Sequence, residues 1–312
     1  MDFFDGRGVT FSHELILHRL RHHESVTHGS RFVSPVREKI IRYGAPIGCL
    51  TEHHARLGRC MYRIRDIFQT YESNAKIPPS GTVIIADELE NGCGRFERPW
   101  HAPRGGVWLA LALADTMLPE VARLLPFVAG IACCETIREL GLEASLKWVN
   151  DLCFRGRKIG GILCESMRSP IYGDNYFIIG IGININNRDF PPELRAIAGS
   201  VRDFMGREFE LSEIIYSLLA KLAWNIGLLH YQEECLLGEN DQRTQDLVIK
   251  RWLELSDTVG RRVRYGFDVQ RDPLYRAVVR RVSWDGGLVM GLDDGTEITE
   301  HGGEIVYLDT FQ

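Results

Sequence analysis

LKWVNDLCFRGRKIGGILCES, at residues 146–166, consists of two apolar runs separated by a short polar turn. The runs around Leu146 and Ile162 are typical of strands, and the turn at RGRK is short enough for a hairpin. NYFIIGIGININN, at residues 175–187, continues the pattern with a third apolar run. These segments predict three strands of one sheet, joined by short turns, at the centre of the fold.

Strands and helices are mixed on either side of this segment. TVIIADEL (82–89) and GVWLALALA (106–114) predict strands, and LPFVAGIACCETIREL (125–140) predicts a helix that Pro126 opens. Further helices are predicted over residues 55–72, 211–232 and 243–256. Strands that are grouped together, with helices between and after them, predict an α+β fold with a mixed or antiparallel sheet.

The chain divides into three parts by pattern. Residues 1–45 are irregularly patterned and are predicted to form an N-terminal extension that is not a winged helix. Residues 46–256 form the predicted central domain. Residues 257–312 contain short strands separated by DGG and DDG turns, which are strong hairpin signals. They predict a small C-terminal β-barrel of the SH3 type.

Composition excludes several classes of protein. Apolar residues make up 45% and charged residues 25% of the 312 residues, as in ordinary globular proteins. The net charge of -5 indicates no nucleic-acid partner, and the basic run LHRLRHH is typical of a solvated helix face. The eight scattered cysteines, without a C-x-x-C pair, indicate reduced thiols. Neither a membrane span nor a signal peptide is visible, so we expect a cytoplasmic protein.

The first candidate for chemistry is ENGCGRFERPWHAPRGG, at residues 90–106. Its glycines, Gly92 and Gly94, allow backbone N–H groups to approach an anion closely. The guanidinium groups of Arg95 and Arg98 provide permanent positive charge for a phosphate or a carboxylate. The same composition is also common in polar surface loops, so this segment alone leaves both interpretations open.

Two further elements point to the same region. Lys147 lies between apolar neighbours on a predicted strand. Gly160 and Gly161 leave part of a second strand without side chains, so that a ligand could lie against its backbone. Asn184 alternates with isoleucines at the end of a third strand. Each feature also has a structural interpretation. Together, cationic groups and bare backbone on one sheet suit an acyl adenylate, in which a carboxylate is joined to the α-phosphate of ATP.

These motifs resemble those of the biotin protein ligase family, which shares its catalytic fold with the lipoate ligases. GCGRFERPW resembles the family's G-R-G-R-x-G-R-x-W loop, KWVND its K-W-P-N-D segment, and KIGGILCE its K-x-x-G-I-L-x-E segment. GIGININ resembles G-x-G-I-N-x-N, and GGEIVYL resembles the end of the family's C-terminal barrel. The match covers residues 80–312 and implies that 46–256 is the catalytic domain.

The resemblance implies a role for each matched position. Lys147 and Arg95 are the implied catalytic residues, which hold the biotin carboxyl group and the adenylate phosphate. The implied ligand-binding residues are Gly92, Gly94, Arg98, Trp100, Gly160, Gly161, Asn184 and Thr51. The implied cofactors are ATP and Mg²⁺, with biotin as the substrate, and no protein-held metal site is implied. The implied partner is the biotin carboxyl carrier domain of a carboxylase.

Several positions depart from the family pattern. Cys93 replaces the first arginine of the loop, Glu97 a glycine, and Leu89 a polar ligand-binding residue. The S-T-N segment that binds the biotin ring has no clean copy. LTEHHA at residues 50–55 is its nearest counterpart, with Thr51 as the sole hydroxyl. Adenylation is therefore better supported than biotin as the acid.

Three functions remain in competition. The first is a biotin protein ligase, the second a ligase or transferase for lipoate or octanoate, and the third a non-catalytic sensor of the acid. The C-terminal barrel and KWVND favour the first, the altered ring-binding segment favours the second, and Cys93 would suit the third. We expect neither DNA nor membrane binding, and the sequence leaves open whether the chain is a homodimer.

Overall fold

The protein is described here by a computed structural model that covers residues 11–24, 32–238 and 246–309. The predicted N-terminal extension and the predicted helix over 243–256 therefore lie partly outside the described residues. The helices are α1 (His13–Arg19, continued by a π-helical turn Leu20–Glu24), α2 (Ser34–Gly44), α3 (Cys60–Ser73), α4 (Pro119–Ala122), α5 (Leu125–Glu139), α6 (Val201–Met205), α7 (Leu211–Leu237) and α8 (Leu247–Glu254).

The strands form two sheets. The strands are β1 (Leu50–His54), β2 (Thr82–Ala86), β3 (Val107–Ala114), β4 (Ser145–Lys147), β5 (Asp151–Phe154), β6 (Arg157–Arg168), β7 (Asn175–Ile183), β8 (Arg262–Gly266), β9 (Tyr275–Val282), β10 (Leu288–Gly291), β11 (Glu297–Glu300) and β12 (Glu304–Tyr307). The first sheet has the order β1-β2-β3-β7-β6-β5-β4. Its β1 and β2 are parallel, whereas its other neighbours are antiparallel. The predicted α+β fold with a mixed sheet is confirmed.

The two faces of the mixed sheet differ in side-chain size. Along β3, Leu109 and Leu111 join the large core that contains α5 and α7, whereas Ala110 and Ala112 join a smaller core with α3. Successive residues of a strand point to opposite faces, so this alternation separates the two cores. Small side chains on one face allow α3 to approach the sheet closely, and a cavity lies on that same face beyond the start of α3.

The N-terminal helices pack against the main core. Ile16, Leu20 and Ile40 are fully buried within the larger core, where α1 and α2 contact α7. A Cβ atom added at Gly227 would lie 2.1 Å from the carbonyl oxygen of Ile40, so the two helix backbones are in direct contact. The described part of residues 1–45 is thus helical and buried against α7, although its apolar pattern is irregular.

Two element boundaries differ from the sequence prediction. The predicted helix over 55–72 begins only at Cys60, because residues 55–59 form a link in which Leu57 bridges Leu89. The predicted three strands over 144–187 are four, because the chain turns at residues 148–150 and pairs β4 with β5. The turn matters for the site, since it brings Lys147 directly opposite Asp151.

The second sheet is antiparallel and has the order β11-β10-β9-β8-β12. It matches the predicted C-terminal unit of short strands. It is joined to the first sheet by hydrogen bonds, including Trp148 Nε1 to the Gly286 carbonyl at 3.1 Å. Across the described ranges, no helix combines the length and the apolar character that a bilayer crossing requires.

Candidate active site

A cavity of about 760 Å³ lies between the mixed sheet, the start of α3, the glycine loop and β12. "Glycine loop" here means residues 91–104. Seven of the ten predicted site residues line the cavity: Gly94, Arg95, Arg98, Trp100, Lys147, Gly161 and Asn184. Segments separated by up to about 200 residues in sequence thus meet at one wall. This convergence is what the motifs predicted.

The charged centre of the cavity is one carboxylate between two lysines. Asp151 Oδ2 lies 2.8 Å from Lys147 Nζ, and its Oδ1 lies 2.5 Å from Lys158 Nζ. Burial opposes ionisation of Asp151, but the charges of Lys158 and Lys147 outweigh it and hold the pKa of Asp151 well below its usual range. Burial likewise opposes the charge on Lys147, and Asp151 outweighs it, so the pKa of Lys147 is raised.

The net charge of this centre is +1, because two ammonium groups share one carboxylate. A permanently cationic centre at the floor of a cavity suits an anionic ligand, such as a carboxylate or a phosphate. Lys158 and Asp151 were not predicted as site residues. Lys158 is the first residue of the KIGGILCE motif and lies in the RGRK turn segment. Asp151 follows Asn150, and Asn and Asp are both common in turns, so its residue type gave no signal of a site. The motif position was the available signal for Lys158.

The glycine loop is held by the second sheet. Arg95 Nη1 donates to the Gly303 carbonyl at 2.8 Å, and Arg98 donates to both carboxylate oxygens of Glu304 at 2.8 Å. Arg98 also contacts the Asp268 carboxylate. Burial lowers the pKa of Arg95. Arg98 is therefore paired with carboxylates of the protein, whereas the Arg95 guanidinium group lies close enough to Asp151 to be influenced by its charge.

The loop backbone is unusual where it departs from the family pattern. Phe96 and Glu97 both have φ of 55°, in the left-handed region that glycine adopts more easily. The guanidinium groups of Arg95 and Arg98 lie 5.2 and 5.3 Å from the Phe96 ring centroid. The attraction between this ring and the two guanidinium groups offsets part of the free-energy cost of the left-handed backbone at Phe96.

Trp100 and the glycines form the cavity floor. A Cβ atom added at Gly182 would lie 2.8 Å from Trp100 Nε1, and one added at Gly161 would lie 3.1 Å from Lys158 Cε. Lys158 Nζ lies 5.3 Å from the Trp100 ring centroid. The bare backbone at Gly161 and Gly182 is needed for these side chains to lie flat on the sheet beside the cationic centre.

Asparagines complete the wall at the end of β7. Asn184 is buried, and its Oδ1 accepts a hydrogen bond from Asn187 Nδ2 at 3.0 Å. The side chain of Asn186 instead pairs with the backbone of Phe209, donating to its carbonyl at 2.8 Å and accepting from its N–H at 3.0 Å. Asn184 therefore lines the cavity, whereas Asn186 fixes a loop.

Three predicted site residues do not line the cavity. The Gly92 carbonyl accepts a hydrogen bond from the Trp100 N–H at 2.9 Å, at the base of the glycine loop. Gly160 packs against the Gly182 carbonyl. Thr51 donates to the Gly48 carbonyl at 3.1 Å within β1 and does not line the cavity. The segment that reaches the wall is Arg59 and Cys60, since α3 begins later than predicted.

Part of the cavity lining, which includes the start of α3, carries no charged side chain. It consists of Cys60, Met61, Leu89, Cys93, Leu163 and Gly180, which we call the distal end. Met61 packs on Gly180, where an added Cβ atom would lie 2.8 Å from its Sδ. Leu89 stands where the family pattern has a polar residue, so this replacement changes the lining of the cavity. Cys93 stands where the pattern has an arginine and also lines the cavity, and its thiol donates to the adjacent Gly94 carbonyl at 3.3 Å.

The chain is similar in sequence to known proteins. The chain is 37% identical over 145 residues to the Bacillus subtilis bifunctional ligase/repressor BirA, covering 45% of this chain and 44% of that protein. It is 27% identical over 249 residues to the biotin--[acetyl-CoA-carboxylase] ligase of Mycobacterium tuberculosis, covering 78% of this chain and 84% of that protein. The aligned regions span less than half the length of the BirA relatives from Bacillus.

A solved structure shares the fold. The biotin protein ligase from Aquifex aeolicus in complex with biotin and ATP superimposes with a TM-score of 0.66 at 20% identity, covering 83% of this chain and 99% of that chain. The model of the Biotin/lipoate A/B protein ligase family matches residues 60–186, which contain α3, the glycine loop and both lysines. Over residues 60–186 the chain is thus similar to the Biotin/lipoate A/B protein ligase family.

Proposed function

We propose that this chain is a biotin protein ligase, which adenylates biotin with ATP and transfers it to a lysine of a carrier domain. The observation that carries the proposal is the pair of lysines on one buried carboxylate at the floor of the cavity. The names of the relatives and the ligands of the Aquifex aeolicus protein support biotin as the acid.

In the proposed first step, a carboxylate oxygen of the acid attacks the α-phosphorus of ATP and pyrophosphate leaves. Two anions must approach each other, and the ammonium groups of Lys147 and Lys158 offset their repulsion. Arg95 provides a third cation beside them. Preorganised charges of this kind stabilise a transition state without needing to reorganise.

In the proposed second step, the neutral amine of the carrier lysine attacks the acyl carbon of the adenylate. An amide bond forms, the bond from the acyl carbon to the phosphate oxygen breaks, and AMP leaves with its negative charge held by the same cations. The amine loses one proton in this step, and that proton is released to solvent. Asp151 does not serve as the base, because its depressed pKa makes it a poor proton acceptor.

Mg²⁺ fits the site as an ion that arrives on the phosphates of ATP. Asn184 lines the cavity with an amide group, a ligand type that Mg²⁺ accepts, and would lie beside the metal–phosphate group. Within residues 11–24, 32–238 and 246–309 there is no group of three or more His, Cys, Asp and Glu side chains that could hold a metal. When bound, Mg²⁺ would neutralise phosphate charge.

The partner and location follow from the proposed reaction. The proposed carrier is the biotin carboxyl carrier domain of an acetyl-CoA carboxylase, the substrate in the name of the Mycobacterium tuberculosis relative. Because the reaction consumes ATP, we place it in the cytoplasm. The absence of DNA binding stays a prediction of the sequence, and homodimer formation stays open.

The test is to incubate the full chain with ATP, Mg²⁺, biotin and a purified carrier domain, and to measure pyrophosphate release and carrier biotinylation. We expect both signals, and we expect Lys158→Met to lower them by about 10²–10³-fold. Lys76→Met, which removes an exposed lysine, is the matched control. If pyrophosphate release from the unaltered chain stays at background with every acid tried, the proposal is wrong.

A second candidate function is ligation of lipoate or octanoate. The specific observation in its favour is the apolar distal end, where Leu89 and Cys93 replace polar residues of the family pattern. Its chemistry at the lysine pair is identical to that proposed for biotin.

A further inference from the structure

β4, the strand that carries Lys147, consists of three residues and lies at the edge of the mixed sheet. On one side it pairs with β5, which places Lys147 opposite Asp151. An edge strand leaves a row of backbone N–H and C=O groups without a strand partner. The position of Lys147 in the cavity therefore depends on what binds the other side of β4.

The other side of β4 is bound by the linker, which we define as residues 255–261 between α8 and β8. The Leu146 N–H donates to the Leu255 carbonyl at 2.8 Å, and the Ser256 hydroxyl donates to the Leu146 carbonyl at 2.7 Å. Both backbone polar groups of the residue before Lys147 are thus held by the linker.

The residue after Lys147 is held by a pair of hydroxyl groups. The Trp148 N–H donates to Oγ1 of Thr258, which is fully buried, at 3.3 Å. Thr258 Oγ1 lies 2.8 Å from Tyr307 Oη, which donates to Asp257 Oδ1 at 3.1 Å. A carboxylate only accepts, so the Tyr307 proton is used by Asp257 and the Thr258 hydroxyl donates to Tyr307. The lone pairs of Thr258 then remain for the Trp148 N–H.

The partner of Thr258 belongs to the segment that also holds the glycine loop. The Gly303 carbonyl, directly before β12, accepts from Arg95 at 2.8 Å. Tyr307, at the end of β12, binds Thr258 and thereby the backbone beside Lys147. One short segment of the second sheet thus fixes the strand of Lys147 relative to the loop of Arg95.

The hydrogen bonds of Tyr307 have a firm anchor at their far end. Burial raises the pKa of Tyr307, so its hydroxyl keeps the proton that it donates to Asp257. Arg261 Nη2 lies 3.0 Å from Asp257 Oδ2, and the Arg261 guanidinium group lies 5.2 Å from the Tyr307 ring centroid. The linker therefore binds both the ring and the hydroxyl of Tyr307.

We propose that Tyr307 is a positioning residue for adenylation and that it acts through Thr258 on the backbone beside Lys147. This inference rests on the proposed function, because it assigns the second sheet a task in the same reaction. The ion pair with Asp151 holds Lys147 relative to β5, whereas the contact of Tyr307 with Thr258 holds β4 relative to the second sheet. Catalytic groups must be held to within about 0.5 Å, and residues behind them provide that support.

Two substitutions test the proposal by removing one hydroxyl each with little change in side-chain shape. Tyr307→Phe removes the partner of Thr258, and Thr258→Val removes the acceptor of the Trp148 N–H. We expect each to lower pyrophosphate exchange of the full chain with ATP, Mg²⁺ and biotin by about 10–100-fold, because a misplacement of about 1 Å costs about 100-fold. Thr258→Ser keeps the hydroxyl and should exchange like the unaltered chain.

A matched control comes from the same sheet. Tyr275 Oη donates to Glu300 Oε1 at 3.0 Å, and Tyr275 does not line the cavity. Tyr275→Phe therefore removes a comparable hydrogen bond away from Lys147 and should leave exchange unchanged. Circular dichroism of every variant shows whether it is folded, and Tyr307→Phe retains the Thr258 acceptor should Thr258→Val fail to fold.

A double-mutant cycle separates positioning from a general loss of stability. Once Lys147→Met has removed the side chain that Tyr307 positions, adding Tyr307→Phe should lower the remaining exchange no further. An equal loss with and without Lys147 would show that Tyr307 acts independently of it, which overturns the inference.

Two other results would also overturn the inference and leave the proposed function standing. One is normal exchange in Tyr307→Phe. The other is loss of exchange in Tyr307→Phe but not in a folded Thr258→Val, because Tyr307 lines the cavity and would then act by contacting the ligand. Absence of exchange in the unaltered chain with every acid tried would overturn the proposed function, and the inference with it.

Discussion

Removal of the carboxylate between the two lysines tests the account of the cationic centre. In Asp151→Asn, Lys147 and Lys158 lose the partner that lies 2.8 and 2.5 Å from their ammonium groups. Loss of one partner from a fully buried ion pair costs about 3–5 kcal/mol. Because the lysine side chains retain 24% and 36% exposure, solvent offsets part of that cost. We expect the free energy of unfolding to fall by about 2–3 kcal/mol at pH 7.

The pKa shifts also determine how the loss of stability in Asp151→Asn depends on pH. The pKa of Asp151 is depressed in the folded state, so its contribution is present above the unfolded value of about 3.9 and is lost as pH falls toward the folded value. The pKa of Lys147 is raised, so its contribution is present below about 10.4 and is lost only as pH rises through the folded value. Between pH 6 and 9, roughly, the difference from the unaltered chain should be constant.

Urea denaturation at pH 7 and pH 3, followed by circular dichroism, measures both effects. Asp293→Asn, at an exposed position of the second sheet, is the matched control. The reasoning is refuted if Asp151→Asn unfolds within about 0.5 kcal/mol of the unaltered chain at pH 7, the range of ordinary surface substitutions. It is also refuted if the difference fails to shrink at pH 3.

Three further outcomes are expected. Lys147→Met and Lys158→Met should each lower pyrophosphate exchange by about 10²–10³-fold with an unchanged circular dichroism spectrum, and a variant with normal exchange would remove that lysine from the site. Arg98→Ala should speed proteolysis of the glycine loop, because it removes the contacts to Glu304, and an unchanged cleavage rate would show that these contacts do not hold the loop. Thr51→Val should leave the calorimetric dissociation constant for biotin unchanged, whereas a tenfold weakening would place the acid at β1.

Strand and helix prediction succeeded where the pattern is local. The apolar runs of β2 and β3, and the helix opened by Pro126, are visible in a few consecutive residues. The split at residues 148–150 was missed because Leu146, Trp148 and Leu152 read as one continuous apolar strand. The N-terminal helices were missed because their apolar positions contact α7, whose sequence lies about 200 residues later.

The sequence does not show which site residues have partners from distant segments of the fold. Lys147 was identified by its apolar neighbours, but Lys158 looks like a solvated turn residue until β6 pairs with β5 and places it on Asp151. Arg98 was expected to contact the ligand, and its ion pairs with Glu304 and Asp268 cannot be inferred from either segment alone. Thr51 is an expected ligand-binding residue because it is the sole hydroxyl of LTEHHA, whereas the start of α3 at Cys60 determines which residues reach the cavity wall.

The contact between Arg98 and Glu304 also orders the events of folding. The two residues are 206 positions apart, and Gly303, which binds Arg95, is separated from it by 208 positions. Contacts between such distant segments close large loops, and proteins dominated by them fold slowly. During synthesis, the mixed sheet and the lysine pair emerge long before β12 does. A nascent chain can therefore bury its core while its glycine loop is still open, and the cavity acquires its last wall only when β12 docks.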